Sequence, residues 1–265
     1  MNEPLSRREV LNAVLASLAT PALAGSALAA PAEAVLGLIA PVEVTVPPEA
    51  VTLYPRVRFE ARSVGLKTMT PEGYDEVLER IAPTATALAG AGARAMVLMG
   101  TSLSFYRGAS YNRELTRRIA QASGRPAVTM STAVCDGLRS VGARRLAVAT
   151  AYDAEVNRRL RVFLQEEGFD VRVLRGLGVE KVEDIKRVTR EGLLEFSAGV
   201  FASADRADAL LVSCGGLRTL ELLAPLEARC GVPVVSSLPH ALWAGVRLLG
   251  VSARVEGFGR VLAQG

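Results

Sequence analysis

From Val35 onward the chain alternates short, continuous apolar runs with stretches whose apolar positions recur at helical spacing. Continuous apolar runs suit strands buried on both faces, and their regular alternation with amphipathic helices predicts an α/β protein with parallel sheets. The predicted strands are Val35 to Ala40, Ala95 to Met99, Ala127 to Met130, Leu146 to Thr150, Val171 to Leu174, Ala209 to Ser213 and Val232 to Ser236. Helical periodicity covers Pro71 to Ala91, Asn112 to Ser123, Ala133 to Val141, Ala154 to Glu167, Val182 to Ala204 and Leu220 to Cys230. Thr70 before Pro71 reads as an N-cap followed by proline in the first turn, and Gly124, Gly142, Gly168 and Gly231 stand where helices should stop.

Two segments repeat one design. Arg125-Pro126-Ala127-Val128 and Gly231-Val232-Pro233-Val234-Val235 each lead from a helix end through proline into a strand. Two strand ends are also matched: Ala95 to Met99 runs into Gly100-Thr101-Ser102, and Ala209 to Ser213 runs into Cys214-Gly215-Gly216. The expected architecture is therefore two pseudo-symmetric lobes, each a small parallel sheet flanked by helices, with the active site in the cleft between them. Residues 35–141 are assigned to the N-terminal lobe, completed by 242–265, and residues 142–241 to the C-terminal lobe. No low-complexity linker separates them.

Composition narrows the function. The chain has 265 residues, half of them hydrophobic, enough to bury a substantial core. Its net charge of +4 comes from scattered arginines, and aromatics are only 5%. A nucleic-acid surface would want a basic stripe with stacking rings, so none is expected. Cys135, Cys214 and Cys230 have no metal-binding spacing, and His240 is the single histidine, so no metal site and no disulfide framework is expected.

The first thirty residues differ in character. Ser6-Arg7-Arg8-Glu9-Val10-Leu11 precedes an alanine-rich apolar run, followed by Ala22-Leu23-Ala24 and Ala27-Leu28-Ala29, which fit small-residue cleavage sites. Residues 1–30 thus read as a twin-arginine-type signal, with a mature start near Ala30 and a periplasmic destination. Pro21 and Gly25 interrupt the run, so no stable membrane span is expected in the mature protein. A frayed amphipathic helix on a cytoplasmic protein is the alternative.

Candidate chemistry lies at the strand ends, where ligands of open parallel sheets bind. Cys214 offers a thiol whose ordinary pKa of about 8.5 leaves it protonated at neutral pH and able to act as an acid. The flanking Gly215 and Gly216 give a ligand close access to backbone N–H groups, although a buried structural cysteine would read similarly. Thr101 and Ser102 offer hydroxyls that could stabilise developing oxygen charge, or simply cap a helix. Tyr152, just past a third strand, could complete the anion cradle or be a lone tyrosine. Cys135 and Cys230 fit packing, and His240 fits a surface or capping role.

Gly100 through Gly108 (GTSLSFYRG), Met130-Ser131-Thr132-Ala133-Val134, Ala149-Thr150-Ala151-Tyr152, Ser213-Cys214-Gly215-Gly216-Leu217 and Val232-Pro233-Val234-Val235-Ser236-Ser237 resemble the arylmalonate decarboxylase family. That family lies within the aspartate/glutamate racemase superfamily, with the maleate isomerases as close cousins. The resemblance runs from Leu36 to Arg260. It implies a cofactor-free decarboxylation of a small dicarboxylate through an enediolate, protonated on one face by Cys214. Gly100 stands where racemases of the superfamily carry their first cysteine. Thr101, Ser102, Tyr152, Gly215 and Gly216 would form a dioxyanion hole for one carboxylate. Pro41, Leu66, Met69, Tyr74, Met99, Gly100, Val182 and Ile185 would line the substrate pocket, its apolar part taking the other carboxylate.

The chain departs from the family pattern at Lys67 and Lys181, where glycine is expected, at Glu180, where a neutral residue is expected, and at Val42 in place of a second proline. These changes bear on the substrate more than on the mechanism. Two other readings remain: a maleate isomerase or Asp/Glu-type racemase using a different second acid, and an exported carboxylate-binding protein without turnover.

Overall fold

The apolar runs assemble into two sheets of four strands. The first comprises β1 (Val35–Ala40), β2 (Arg58–Ser63), β3 (Ala95–Leu98) and β4 (Ala127–Thr129), ordered β2-β1-β3-β4. The second comprises β5 (Arg145–Thr150), β6 (Asp170–Gly176), β7 (Ala209–Ser213) and β8 (Val234–Ser236), ordered β6-β5-β7-β8. Every pairing is parallel, so the two sheets share one topology and the predicted α/β class and internal repeat are present. A computed structural model describes residues 33–265, leaving out 43–45, 69 and 180 and the side chains of Pro71 and Val182. The expected leader over residues 1–30, Met69, Glu180 and the Val182 side chain lie outside the described residues.

The helices are α1 (Pro48–Leu53), α2 (Pro71–Gly90), α3 (Thr101–Phe105), α4 (Ala109–Ser123), α5 (Met130–Ser140), α6 (Ala154–Glu166), α7 (Val182–Ile185), α8 (Arg190–Ala202), α9 (Leu223–Cys230), α10 (Ser237–Leu248) and α11 (Arg260–Gln264). Thr70 caps α2 as expected, accepting the Gly73 N–H at 3.2 Å. Gly124 and Gly231 close α4 and α9 in the left-handed conformation, with φ of 62° and 74°. These glycines also supply the sharp turn into the proline-led strands β4 and β8.

Two expectations are corrected, and one strand is added to those predicted. The helix expected over Val182 to Ala204 is broken into α7 and α8, because Thr189 adopts an extended conformation and its side chain accepts the Gly192 N–H, starting a new helix. The edge strand β2 was not foreseen: Arg58-Phe59-Glu60-Ala61-Arg62-Ser63 is partly exposed along its length and lacks an apolar run. His240 is not a surface residue but 1% exposed.

The sheets are knit by their last helices. α10 follows β8 of the second sheet yet packs on α5, β3 and β4 of the first, and α5 follows β4 yet touches β8. Residues Glu33–Gly265 accordingly form one compact unit. Among the described residues, no helix is long and apolar enough to cross a membrane, and no three His, Cys, Asp or Glu side chains form a metal-binding group.

His240 lies in the first turns of α10, where its Nδ1 is 3.0 Å from the Ser236 backbone nitrogen and 2.9 Å from the Ser236 carbonyl oxygen. Its Nε2 is buried without a partner, and burial lowers its pKa to about 4. The unfolded chain protonates this imidazole below pH 6.5, while the folded chain does not until about pH 4. Stability is therefore full above pH 6.5 and falls with pH through that window. The expected loss in urea unfolding between pH 7 and pH 4 is about 3 kcal/mol. Because His240 is the single histidine, His240→Gln should lose most of that dependence. An unchanged slope in the variant would assign the effect to carboxylates instead.

Candidate active site

A parallel sheet ordered 2-1-3-4 has its switch point between the first and third strands, and ligands bind beyond the carboxyl ends there. Here those positions are β1 and β3 in one sheet and β5 and β7 in the other. Pro41 follows β1, Gly100 lies just past β3, Tyr152 just past β5 and Cys214 directly after β7. All four line one cavity of about 250 Å³. Leu66, Met99, Thr101, Ser102, Ile185, Gly215 and Gly216 share that lining.

Cys214 is 5% exposed. Burial raises its thiol pKa to about 11, while the Gly216 and Leu217 N–H groups and the Tyr152 phenol partly offset that rise. The sulfur is thus a protonated acid at neutral pH, facing groups able to stabilise its thiolate. Its own backbone N–H donates to Ser237 Oγ at 3.1 Å.

Thr101 and Ser102 form the first turn of α3, each almost wholly buried. Gly100 precedes them at φ −131°, backbone that any residue can adopt, so the missing side chain leaves space rather than permitting a special turn. Ser104 Oγ reaches the carbonyls of Gly100 and Thr101 at 2.8 and 2.9 Å, and Ser131 Oγ donates to the Thr101 carbonyl at 3.0 Å. These bonds hold the turn from below. Thr101 Oγ1 itself lies 2.9 Å from Met130 Sδ and 3.0 Å from Ser237 Oγ.

Tyr152 is buried, and loss of hydration raises its pKa well above the usual phenol value, so its O–H stays a donor. It lies beside the Cys214 sulfur and the Thr101 hydroxyl and 3.5 Å from Ser213 Oγ. Its turn is held by Gly176 at the end of β6: a Cβ there would sit 2.1 Å from the Tyr152 carbonyl and 2.3 Å from Asn157 Nδ2.

Tyr74 stands behind the wall and is absent from the cavity lining. It is 1% exposed, its ring 4.8 Å from that of Tyr106, and its hydroxyl approaches Ser102 without a full hydrogen bond. Burial raises its pKa to about 12. Lys67 and Lys181 are exposed and outside the lining, so neither places a charge in the cavity. Cys135 is buried in α5 and Cys230 half-buried at the end of α9, both free and both away from the lining. Leu38, Leu103, Met130 and Leu238 also line the cavity. No local signal separates these four from ordinary core, and Ser237 stands out in the sequence only as the end of the family-like segment Val232 to Ser237.

The sequence model of the arylmalonate decarboxylase family matches residues 36–262. The arylmalonate decarboxylase of Bordetella bronchiseptica is 46% identical over 225 residues, covering 84% of this chain and 94% of that protein. A maleate isomerase of Pseudomonas putida is 26% identical over 162 residues, covering 59% of this chain and 64% of its own. Among solved structures, a liganded arylmalonate decarboxylase with glycine-to-cysteine and cysteine-to-serine substitutions superposes with a TM-score of 0.85 at 44% identity, covering 88% of this chain and all of that one. Maleate isomerase from Pseudomonas putida S16, in complex with maleate, shares the fold at 23% identity and a TM-score of 0.80, over 87% of this chain and 97% of its own. The match in sequence runs through both sheets and all four strand ends that build the cavity: this chain belongs to the arylmalonate decarboxylase family.

Proposed function

We propose that the protein is a cofactor-independent decarboxylase of arylmalonate-type dicarboxylates, yielding a chiral 2-arylpropionate when the α-carbon also bears a methyl group. The observation that carries this reading is an asymmetric cavity: a buried, protonated thiol comes from one sheet and a bare glycine from the other.

One substrate carboxylate is held by the hydroxyls of Thr101, Ser102 and Tyr152 and by the backbone at Gly215 and Gly216. The other enters the apolar side formed by Pro41, Leu66, Met99 and Ile185, with Met69 and Val182 assigned there from the family pattern. Removing hydration there raises the energy of the charged group. The bond to the α-carbon breaks, its electron pair stays on that carbon, and neutral carbon dioxide leaves. Charge spreads into the held carboxylate as an enediolate, where preorganised donors are each worth about 3 kcal/mol. The Cys214 S–H then gives its proton to the face it meets, and solvent reprotonates the thiolate. Tyr74, packed behind Ser102, supports the wall.

Carbon dioxide release from phenylmalonate and its α-methyl derivative, with chiral analysis of the product from the latter, tests the assignment. Conversion of maleate to fumarate instead would favour the isomerase reading. Binding of phenylmalonate without turnover would favour a carboxylate-binding protein.

Gly176→Ala offers a check on the Tyr152 role. A backbone carbonyl cannot yield to the new methyl, so the Tyr152 turn must shift. The expected result is a loss of about 1–3 kcal/mol in stability. A fall in kcat of about 10- to 100-fold should accompany it. An unchanged kcat in the folded variant would remove the phenol from the reaction.

For the leader we propose export by the twin-arginine route, supported by Arg7-Arg8 and the alanine-rich run that follows. Sequencing the N-terminus of the protein isolated from its host tests this. An intact Met1 would leave it cytoplasmic.

A further inference from the structure

Below the cavity a single hydroxyl touches both walls without reaching the ligand space. Ser237, the first residue of α10, is fully buried and absent from the cavity lining. Its Oγ accepts the backbone N–H of Cys214 at 3.1 Å and lies 3.0 Å from Thr101 Oγ1. It therefore joins the strand end that carries the thiol to the turn that carries the carboxylate clamp.

A hydroxyl has one proton and two lone pairs. One Ser237 lone pair is taken by the Cys214 N–H, which leaves the direction of the bond to Thr101 as the variable. Before a ligand binds, the Thr101 proton can point to Ser237, to the Tyr152 oxygen beside it or to the Met130 sulfur 2.9 Å away. A bound carboxylate is an acceptor only and, being charged, the strongest acceptor in reach. Thr101 must then turn its proton to the ligand, and its own oxygen is left to accept. Met130 has no proton to give, Ser104 and Ser131 bond the Thr101 carbonyl rather than its hydroxyl, and the Tyr152 phenol beside Thr101 turns its own proton to the same carboxylate. Ser237 has a proton in the right place.

Resting on the decarboxylase reading, we propose that Ser237 is a positioning residue that sets the direction of the Thr101 proton. The donors then align from the Cys214 N–H through Ser237 O–H and Thr101 O–H to the substrate carboxylate. Aligned hydrogen bonds polarise one another, so the chain strengthens as enediolate charge builds. Its effect should fall on kcat more than on KM.

The test is a double-mutant cycle on phenylmalonate with the full chain: wild type, Ser237→Ala, Thr101→Ala and both together. Ser237→Ala should lower kcat about thirtyfold with KM changed by less than about threefold. In the Thr101→Ala background the same change should cost less than about threefold, because the hydroxyl that Ser237 directs is gone. A packing role would lower both backgrounds equally, and that additivity, or a Ser237→Ala enzyme within about threefold of wild type, would overturn the proposal. If Ser237→Ala does not fold, Ser237→Thr and Ser237→Cys decide. The threonine keeps the donor and should retain most of kcat, while the cysteine keeps the shape but donates weakly and should not. A cysteine variant equal to wild type, or a folded threonine variant as slow as the cysteine one, overturns the relay. If wild-type protein binds phenylmalonate without turning it over, the decarboxylase reading is what fails, and the same cycle read in Kd shows whether Ser237 still directs Thr101.

Discussion

Replacing Cys214 by serine should lower decarboxylation of phenylmalonate by roughly 10³- to 10⁴-fold while the protein stays folded. The two side chains differ little in size, and the sulfur sits at the end of β7, where its loss opens only a small void. The chemical difference is large. The thiol, with a pKa near 11, is protonated at neutral pH, yet its thiolate is met by the Gly216 and Leu217 N–H groups and the Tyr152 phenol. A hydroxyl is a much weaker acid, and the same donors cannot close that gap. Carbon dioxide release at saturating substrate, with a thermal melt to verify folding, measures the effect. Since the working form is the protonated thiol, wild-type kcat should be level from pH 7 to 9 and fall only as pH rises toward the thiol pKa. A serine variant with most of the wild-type rate would remove Cys214 from the proton transfer.

The strand framework was legible because buried parallel strands carry unbroken apolar runs: β1 and β7 begin and end at the residues expected from sequence. β2 escaped because it lies at a sheet edge, where alternate charged residues reach solvent and no run survives. The break between α7 and α8 escaped because apolar spacing continues through Thr189, whose capping bond overrides the pattern. At the cavity the distinction is similar. Cys214, Gly100, Thr101 and Ser102 announce themselves by sitting in small-residue turns after strands, a local signal. Ser237 and Gly176 act through partners brought close only by the fold: Ser237 meets Thr101 across 136 positions of sequence, and Gly176 meets the Tyr152 carbonyl from a neighbouring strand. Nothing local distinguishes such residues from an ordinary helix start or strand end. The burial of His240 belongs with them, since it depends on α10 crossing to the other sheet.

Introducing a thiol at Gly100 should give the enzyme a reaction that the wild type lacks: racemisation of its own 2-arylpropionate product. The backbone there accepts any side chain, and a Cβ would meet Leu103 Cβ at 3.1 Å and Pro41 Cγ at 3.6 Å, so a small movement of α3 admits cysteine. The new sulfur would enter the cavity from the first sheet while Cys214 stays on the second. A thiolate on one side can take the α-proton, and a thiol on the other can return one to the opposite face through the same enediolate. With both thiols present, enantiopure 2-phenylpropionate should racemise at a rate at least about 100-fold above wild type and exchange its α-proton in deuterated water. Adding Cys214→Ser leaves only the Gly100→Cys sulfur as the acid, so decarboxylation of α-methyl-α-phenylmalonate should then yield the mirror-image product. Chiral chromatography reads both results. A configurationally inert product from the folded single variant would mean that the two turns do not address opposite faces of one carbon, and the stereochemical reading of the bare glycine would fall with it.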